Sequence, residues 1–154
     1  MDLVEGRYEI NFGDLERKLA DPKVKILFIC NPQNPTGRCF TKEELVRMGE
    51  LCIRNNVMIG VDEIHADIIF DGHKFVPFCG ISEEFANHSV TFINPAKTFN
   101  VAGFRTAAWF THNKEIYRRM MNQQTYKKGV GRNIFGNVAL MACYNHGDDY
   151  ADQC

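Results

Sequence analysis

The stretch Val24-Lys25-Ile26-Leu27-Phe28-Ile29-Cys30 runs straight into Asn31-Pro32-Gln33-Asn34-Pro35-Thr36-Gly37. A short, nearly continuous apolar run closed by turn residues reads as a buried strand followed by a tight loop. Two Asn-Pro steps within five residues disfavour helix and permit a cis peptide, which would aim one asparagine side chain into a site. Beyond the loop, Thr41 with Glu44 three residues on is a capping-box signature, and Leu45, Met48, Leu51 and Cys52 recur at helical spacing as far as Asn55-Asn56. A helix of about four turns is expected there.

The pattern then repeats. Val57–Val61 is again a short apolar run, closed by Asp62-Glu63, and Ser89–Ile93 is a third, closed by Asn94-Pro95. Strand, helix, strand and strand is the rhythm of an α/β fold with a mostly parallel sheet between helical layers, a three-layer α/β/α arrangement. Thr106–Thr111 reads as a further strand, and Lys114–Tyr126 and Asn133–Asn145 have helical periodicity. Parallel strands would bring their polar exits to one carboxyl edge, where ligands of open α/β sheets sit. Asn34, Asp62 to His65, and Lys97 all lie at those exits.

Composition bounds the function. The 154 residues, 45% of them hydrophobic and 24% charged, make one domain or one piece of a larger fold. Eighteen basic and nineteen acidic side chains leave a net charge of −1, so neither nucleic acid nor an anionic membrane is an expected partner. The six cysteines form no CxxC pair and no regular spacing, which indicates neither a zinc site nor a disulfide framework; reduced thiols in a cytoplasmic protein are the expectation. No signal peptide and no apolar run of membrane-spanning length is present in the sequence.

Two side chains carry chemical weight. Asp62 ends an apolar strand, where a buried carboxylate calls for a cationic or hydrogen-bonding partner, although a turn cap would use the same residue. Glu63 beside it is expected to face the other way and make a structural bond. Lys97 follows Asn94-Pro95-Ala96, ahead of Val101-Ala102-Gly103-Phe104; in a partly desolvated pocket its amine would become a nucleophile able to form a Schiff base.

Taken together, NPQNPTGR (Asn31–Arg38), DEIHADI (Asp62–Ile68) and NPAKTFNVAGFR (Asn94–Arg105) resemble the aminotransferase class I/II family, fold-type I enzymes that use pyridoxal 5′-phosphate. The resemblance covers essentially the whole chain, from Gly6 to the helical stretch near Tyr144. It implies that Lys97 carries the cofactor aldehyde and shuttles the substrate Cα proton, and that Asp62 pairs with the pyridinium nitrogen. It also implies that Asn34 hydrogen-bonds the cofactor 3′-oxygen and that Arg105 contacts the phosphate. His65 stands where many aminotransferases carry a tyrosine, and the wording DEIHAD is similar to the C–S lyase branch, the MalY/PatB-like cystathionine β-lyases. Arg105 departs from that branch, where a neutral residue is expected eight places after the lysine. Asn94 departs too, since a serine or threonine is common three places before it.

Because family members run to nearly four hundred residues, the resemblance implies a single partial domain over residues 1–154. This is the central part of the large cofactor domain, with residues from about 131 to 154 starting the helix that leads to a small domain. The upstream phosphate loop and the downstream arginine for the substrate carboxylate would lie elsewhere in a longer, homodimeric protein, and this piece by itself is expected to be inactive. The DEIH wording favours a C–S β-lyase; an aminotransferase moving an amino group to a 2-oxo acid and a non-catalytic regulatory module on the same fold are the alternatives.

Overall fold

A computed structural model of the chain describes residues 1–123 and 133–153. It opens with an antiparallel hairpin, β1 (Asp2–Val4) and β2 (Arg7–Glu9), turned at Glu5 and Gly6, and continues with helix α1 (Phe12–Leu19). There follow β3 (Ile26–Cys30), α2 (Lys42–Arg54), β4 (Met58–Asp62), α3 (Glu83–Asn87), β5 (Ser89–Ile93) and β6 (Ala108–Phe110). Helices α4 (Lys114–Gln123), α5 (Ile134–His146) and α6 (Asp148–Ala151) complete the order, with single 3₁₀ turns at Phe78–Gly80 and Ala102–Phe104.

One four-stranded sheet, in the order β3-β4-β5-β6, organises the chain. Its first three strands are parallel and β6 runs antiparallel along β5, so the sheet is mixed but mostly parallel, and the fold is α/β as expected. The register pairs Cys30 with Asp62 and Asp62 with Phe92. The carboxyl ends of β3, β4 and β5 therefore lie side by side, and the three polar loops leave from one edge.

Strand alternation decides which face is covered. Ile29, Ile59 and Val61 are buried on the face that meets Leu45, Met48, Leu51 and Cys52 of α2, together with Phe78 and Phe85, whose rings stack at 5.1 Å. Each such side chain, fully buried, contributes about 1.5–3 kcal/mol. The expected cap of α2 is present: Thr41 Oγ1 accepts the Glu44 N–H, and the Glu44 carboxylate accepts the Thr41 N–H at 2.9 Å. On the opposite face Phe28 stays 68% exposed and lays its ring over Gly60, where an added Cβ would lie 2.6 Å from the ring carbons. Farther along that face Trp109 meets Tyr117 of α4 at 5.5 Å, so helices lie on both sides of the sheet. The second helical layer, among the described residues, leaves Phe28 and Asp62 uncovered.

Three differences from the sequence reading have local causes. The β1–β2 hairpin was not expected because all six of its strand residues are exposed and carry no apolar alternation. Helices α1 and α3 have eight and five residues, too short for a periodic signal to stand out. The helical pattern at the chain's end stops at Ala151, with Asp152 and Gln153 in a turn. Tyr126, the expected end of the fourth helix, and residues 131, 132 and 154 lie outside the described residues.

Asn31 is the polar keystone at the base of the Asn34 loop. Fully buried, its Oδ1 accepts the Phe40 N–H at 3.0 Å and its Nδ2 donates to the Val76 carbonyl at 3.3 Å. Asn31→Ala leaves the buried Phe40 N–H and the half-buried Val76 carbonyl without their partners, and is expected to lower stability by about 1–3 kcal/mol in urea unfolding of the full-length protein.

Candidate active site

The first exit loop is closed on itself. The Gln33 N–H donates to the Arg38 carbonyl and the Gly37 N–H to the Gln33 carbonyl, each at 2.7 Å, and both Asn-Pro bonds are cis. Arg38 is largely buried and its Nη2 bonds both oxygens of Glu44, at 2.8 and 2.9 Å, which ties the loop to the capped start of α2. With Asn31 engaged in the base, Asn34 is the asparagine left exposed at the loop's tip.

The second exit carries Asp62 and Glu63 in opposite directions, as strand alternation requires. Glu63 makes the expected structural bond: it is buried and its Oε1 accepts the Phe78 N–H at 2.9 Å. Burial, opposed in part by that hydrogen bond, pushes its carboxyl up to about 7. A carboxyl raised from about 4.5 holds its proton longer in the folded state, so its effect on stability is absent at low pH and becomes unfavourable as pH rises from about 4.5 to 7. Glu63→Gln keeps an acceptor oxygen and removes the titration. In urea unfolding the variant is expected to gain a few kcal/mol on the wild type between pH 5 and pH 8.

Of the two readings of Asp62, a buried carboxylate and a turn cap, the chain by itself shows the cap. The side chain projects from the uncovered face, its Oδ1 accepting the Ile64 N–H at 3.1 Å in a turn cap. Lys97 is exposed, although Pro95 and Thr98 in the same loop are buried. Asn94 Oδ1 accepts the Ala96 N–H at 2.7 Å just ahead of it. Arg105 is exposed, with φ 48° in the left-handed region, directly after the Ala102–Phe104 turn. The Asn133 side chain, which caps α5, donates to the Phe104 carbonyl and joins that turn to the helix.

Two concavities collect some of these groups. Asn34 and the half-buried His65 line a cavity of about 340 Å³ with Cys39, Ile69 and His73. Asp62 and Asn94 line a second, of about 350 Å³, with Phe28, Phe92 and Ala107. Lys97 and Arg105 line neither, and reach the edge only through their loops. A link that sequence reasoning missed is the hydrogen bond from Thr98 Oγ1 to Asp67 Oδ2 at 2.9 Å, across 31 residues of chain. Nothing local signals it. Among the described residues no group of three or more His, Cys, Asp or Glu side chains is placed to hold a metal ion, and no helix is long and apolar enough to cross a membrane.

Residues 3–128 match the family described as aminotransferase class I and II. The chain belongs to that family. Within it, cystathionine beta-lyase PatB of Bacillus subtilis (strain 168) is 40% identical over 97% of this chain and 38% of its own length. An aspartate aminotransferase of the same organism is 27% identical over 93% of this chain and 36% of its own length. Among solved structures, cystalysin from Treponema denticola, which contains a pyridoxal 5′-phosphate cofactor, superposes with a TM-score of 0.92 at 32% identity, covering 98% of this chain and 38% of that one. The chain thus spans under two fifths of the length of these class I and II relatives.

Proposed function

We propose that this chain supplies the cofactor-binding centre of a pyridoxal 5′-phosphate-dependent C–S β-lyase, which releases a thiol, pyruvate and ammonia from cystathionine or related cysteine conjugates. By residue type, the donors on the strand-exit loops suit that cofactor. The exposed Asp62 carboxylate has one turn hydrogen bond and an oxygen to spare for a pyridinium N–H. The exposed Asn34 amide is free of the loop's own bonding, so it can donate to the ring's 3′-oxygen, with His65 beside it in the same cavity. Arg105 would take the phosphate and Lys97 the aldehyde carbon. When bound, the cofactor provides a protonated ring that accepts the electron pair left at Cα.

The residues do the rest. Lys97 Nζ would take the Cα proton, Asp62 would keep the ring nitrogen protonated, and the thiolate would leave from Cβ with the electron pair of the Cβ–S bond. The observation that carries the lyase reading is the 40% identity to PatB, together with the imidazole of His65 in the DEIH stretch. Arg105 and the likeness to an aspartate aminotransferase favour transamination, in which the electron pair left at Cα is reprotonated at the cofactor and the amino group passes to a 2-oxo acid. Full-length protein incubated with cystathionine is expected to yield pyruvate; glutamate formed only when 2-oxoglutarate is added would instead establish the transferase.

On this reading residues 1–154 are one partial domain, the centre of the larger cofactor-binding domain, and the segment from about residue 131 leads towards a smaller one. The complete protein is a cytoplasmic homodimer acting on an amino acid. This chain alone is expected to be inactive, because it spans under two fifths of the length of the relatives it matches.

A further inference from the structure

The loop that bears Lys97 is pinned on both sides while Lys97 itself is exposed. Ahead of it, the Asn94 side chain caps the Ala96 N–H, and the Phe99 and Val101 N–H groups turn back to the Pro95 and Ala96 carbonyls. Behind it, Thr98 is 2% exposed and donates to Asp67. Phe99 packs its ring at 6.1 Å from Tyr144 and 6.0 Å from Tyr150. Gly147 makes that packing possible, because a Cβ there would fall 2.3 Å from the Phe99 ring.

Asp67 comes from the neighbouring exit. The Ala66 N–H donates to the Glu63 carbonyl and the Ile68 N–H to the His65 carbonyl, so two successive turns fold residues 63–68 back over the end of β4. Asp67, five residues past Asp62, is thereby delivered to the Lys97 loop. Its carboxylate also lies close enough to Tyr144 to add to the effect of burial, which together push that hydroxyl up to about 12. One carboxylate thus meets the lysine loop and neighbours α5.

We infer that Asp67 is a positioning residue for Lys97: through Thr98 it locks the amine-bearing loop in register with the turn that carries Asp62 and His65. The inference rests on the reading of Lys97 as the cofactor-bearing amine. A hydroxyl-to-carboxylate bond is of the strong, charge-assisted kind. A reacting group displaced by about 1 Å loses on the order of 10²-fold in rate, so a lock of this sort matters to the chemistry more than to the fold.

Asp67→Ala and Thr98→Val, each in the full-length protein loaded with pyridoxal 5′-phosphate, are expected to lower kcat by about 10–100-fold with KM little changed. The double variant should be no worse than the poorer single one, because both remove the same bond. Asp67→Asn and Thr98→Ser keep the acceptor and the hydroxyl and should restore most of the rate. The second readout needs no turnover. Apoprotein is mixed with pyridoxal 5′-phosphate, quenched with borohydride at intervals, and the labelled Lys97 peptide is followed by mass spectrometry. Labelling should slow in Asp67→Ala and Thr98→Val, with the thermal midpoint within a few degrees, and recover in the two conservative variants. Losses that multiply in the double variant, or conservative variants no better than the disruptive ones, would overturn the inference. So would wild-type labelling in Asp67→Ala. Lys97→Ala serves as the control: a label that persists on another lysine sinks the reading of Lys97, whereas a label lost there but normal in Asp67→Ala sinks only the positioning role.

Discussion

Full-length protein carrying Lys97→Ala is expected to lose the visible absorption of bound pyridoxal 5′-phosphate and to turn over on the order of 10⁴-fold more slowly, while its cofactor-free form unfolds at the temperature of the cofactor-free wild type. Two duties end together: the amine that tethers the cofactor and the base that takes the Cα proton, the latter alone worth about 10²–10⁴-fold. Folding should be indifferent. Lys97 is exposed and makes no ion pair among those formed by the described residues. Absorption spectra, steady-state rates and a thermal melt of the cofactor-free form test all three parts, and a chromophore that survives the substitution rejects the role.

Asp62→Ala should cost about 10²–10³-fold in kcat, the usual loss when one preorganised electrostatic partner of a developing charge is removed. Asp62→Asn should fall nearly as far, since a neutral amide cannot hold the ring nitrogen protonated. Neither change should shift the melting temperature by more than a few degrees, because among the described residues the carboxylate's hydrogen bond is the turn cap to Ile64. A variant with normal turnover would remove Asp62 from the site. One that fails to fold would make it the structural cap that its position alone also allows.

These predictions draw unequally on sequence and structure. The runs at Val24–Cys30, Val57–Val61 and Ser89–Ile93 were legible as strands because each is buried on at least one face and bounded by Asn, Asp or Pro. The capping box of α2 was legible because it is a local arrangement of four residues. The same locality exposed the exit loops, and with them Asn34, Asp62 and Lys97; Arg105 and the significance of His65 came from the family resemblance. The hairpin at the start was hidden by its uniformly exposed side chains. The antiparallel direction of β6 was hidden because a three-residue strand carries no mark of its direction.

Burial was the quantity read least well. The residues left open whether Asp62 is a buried acid or a turn cap and whether Lys97 is desolvated or solvated; both are exposed in this chain, since burial depends on what packs over the sheet edge rather than on the residue itself. The division of labour between the two asparagines was equally out of reach. Asn31 and Asn34 sit in identical Asn-Pro steps, and only the partners supplied by Phe40 and Val76, 9 and 45 residues away, make the first structural and leave the second free.

By itself, then, the order of residues determined an α/β sheet with polar loops at the ends of its strands, because apolar runs, caps and turn residues act over a few neighbours; the family was read from the resemblance of three motifs. Only the tertiary structure decided which strand ends stand side by side, which face of the sheet is covered, and that Asp67 reaches Thr98. Those facts depend on contacts between residues far apart in the chain, whose energies no local window contains.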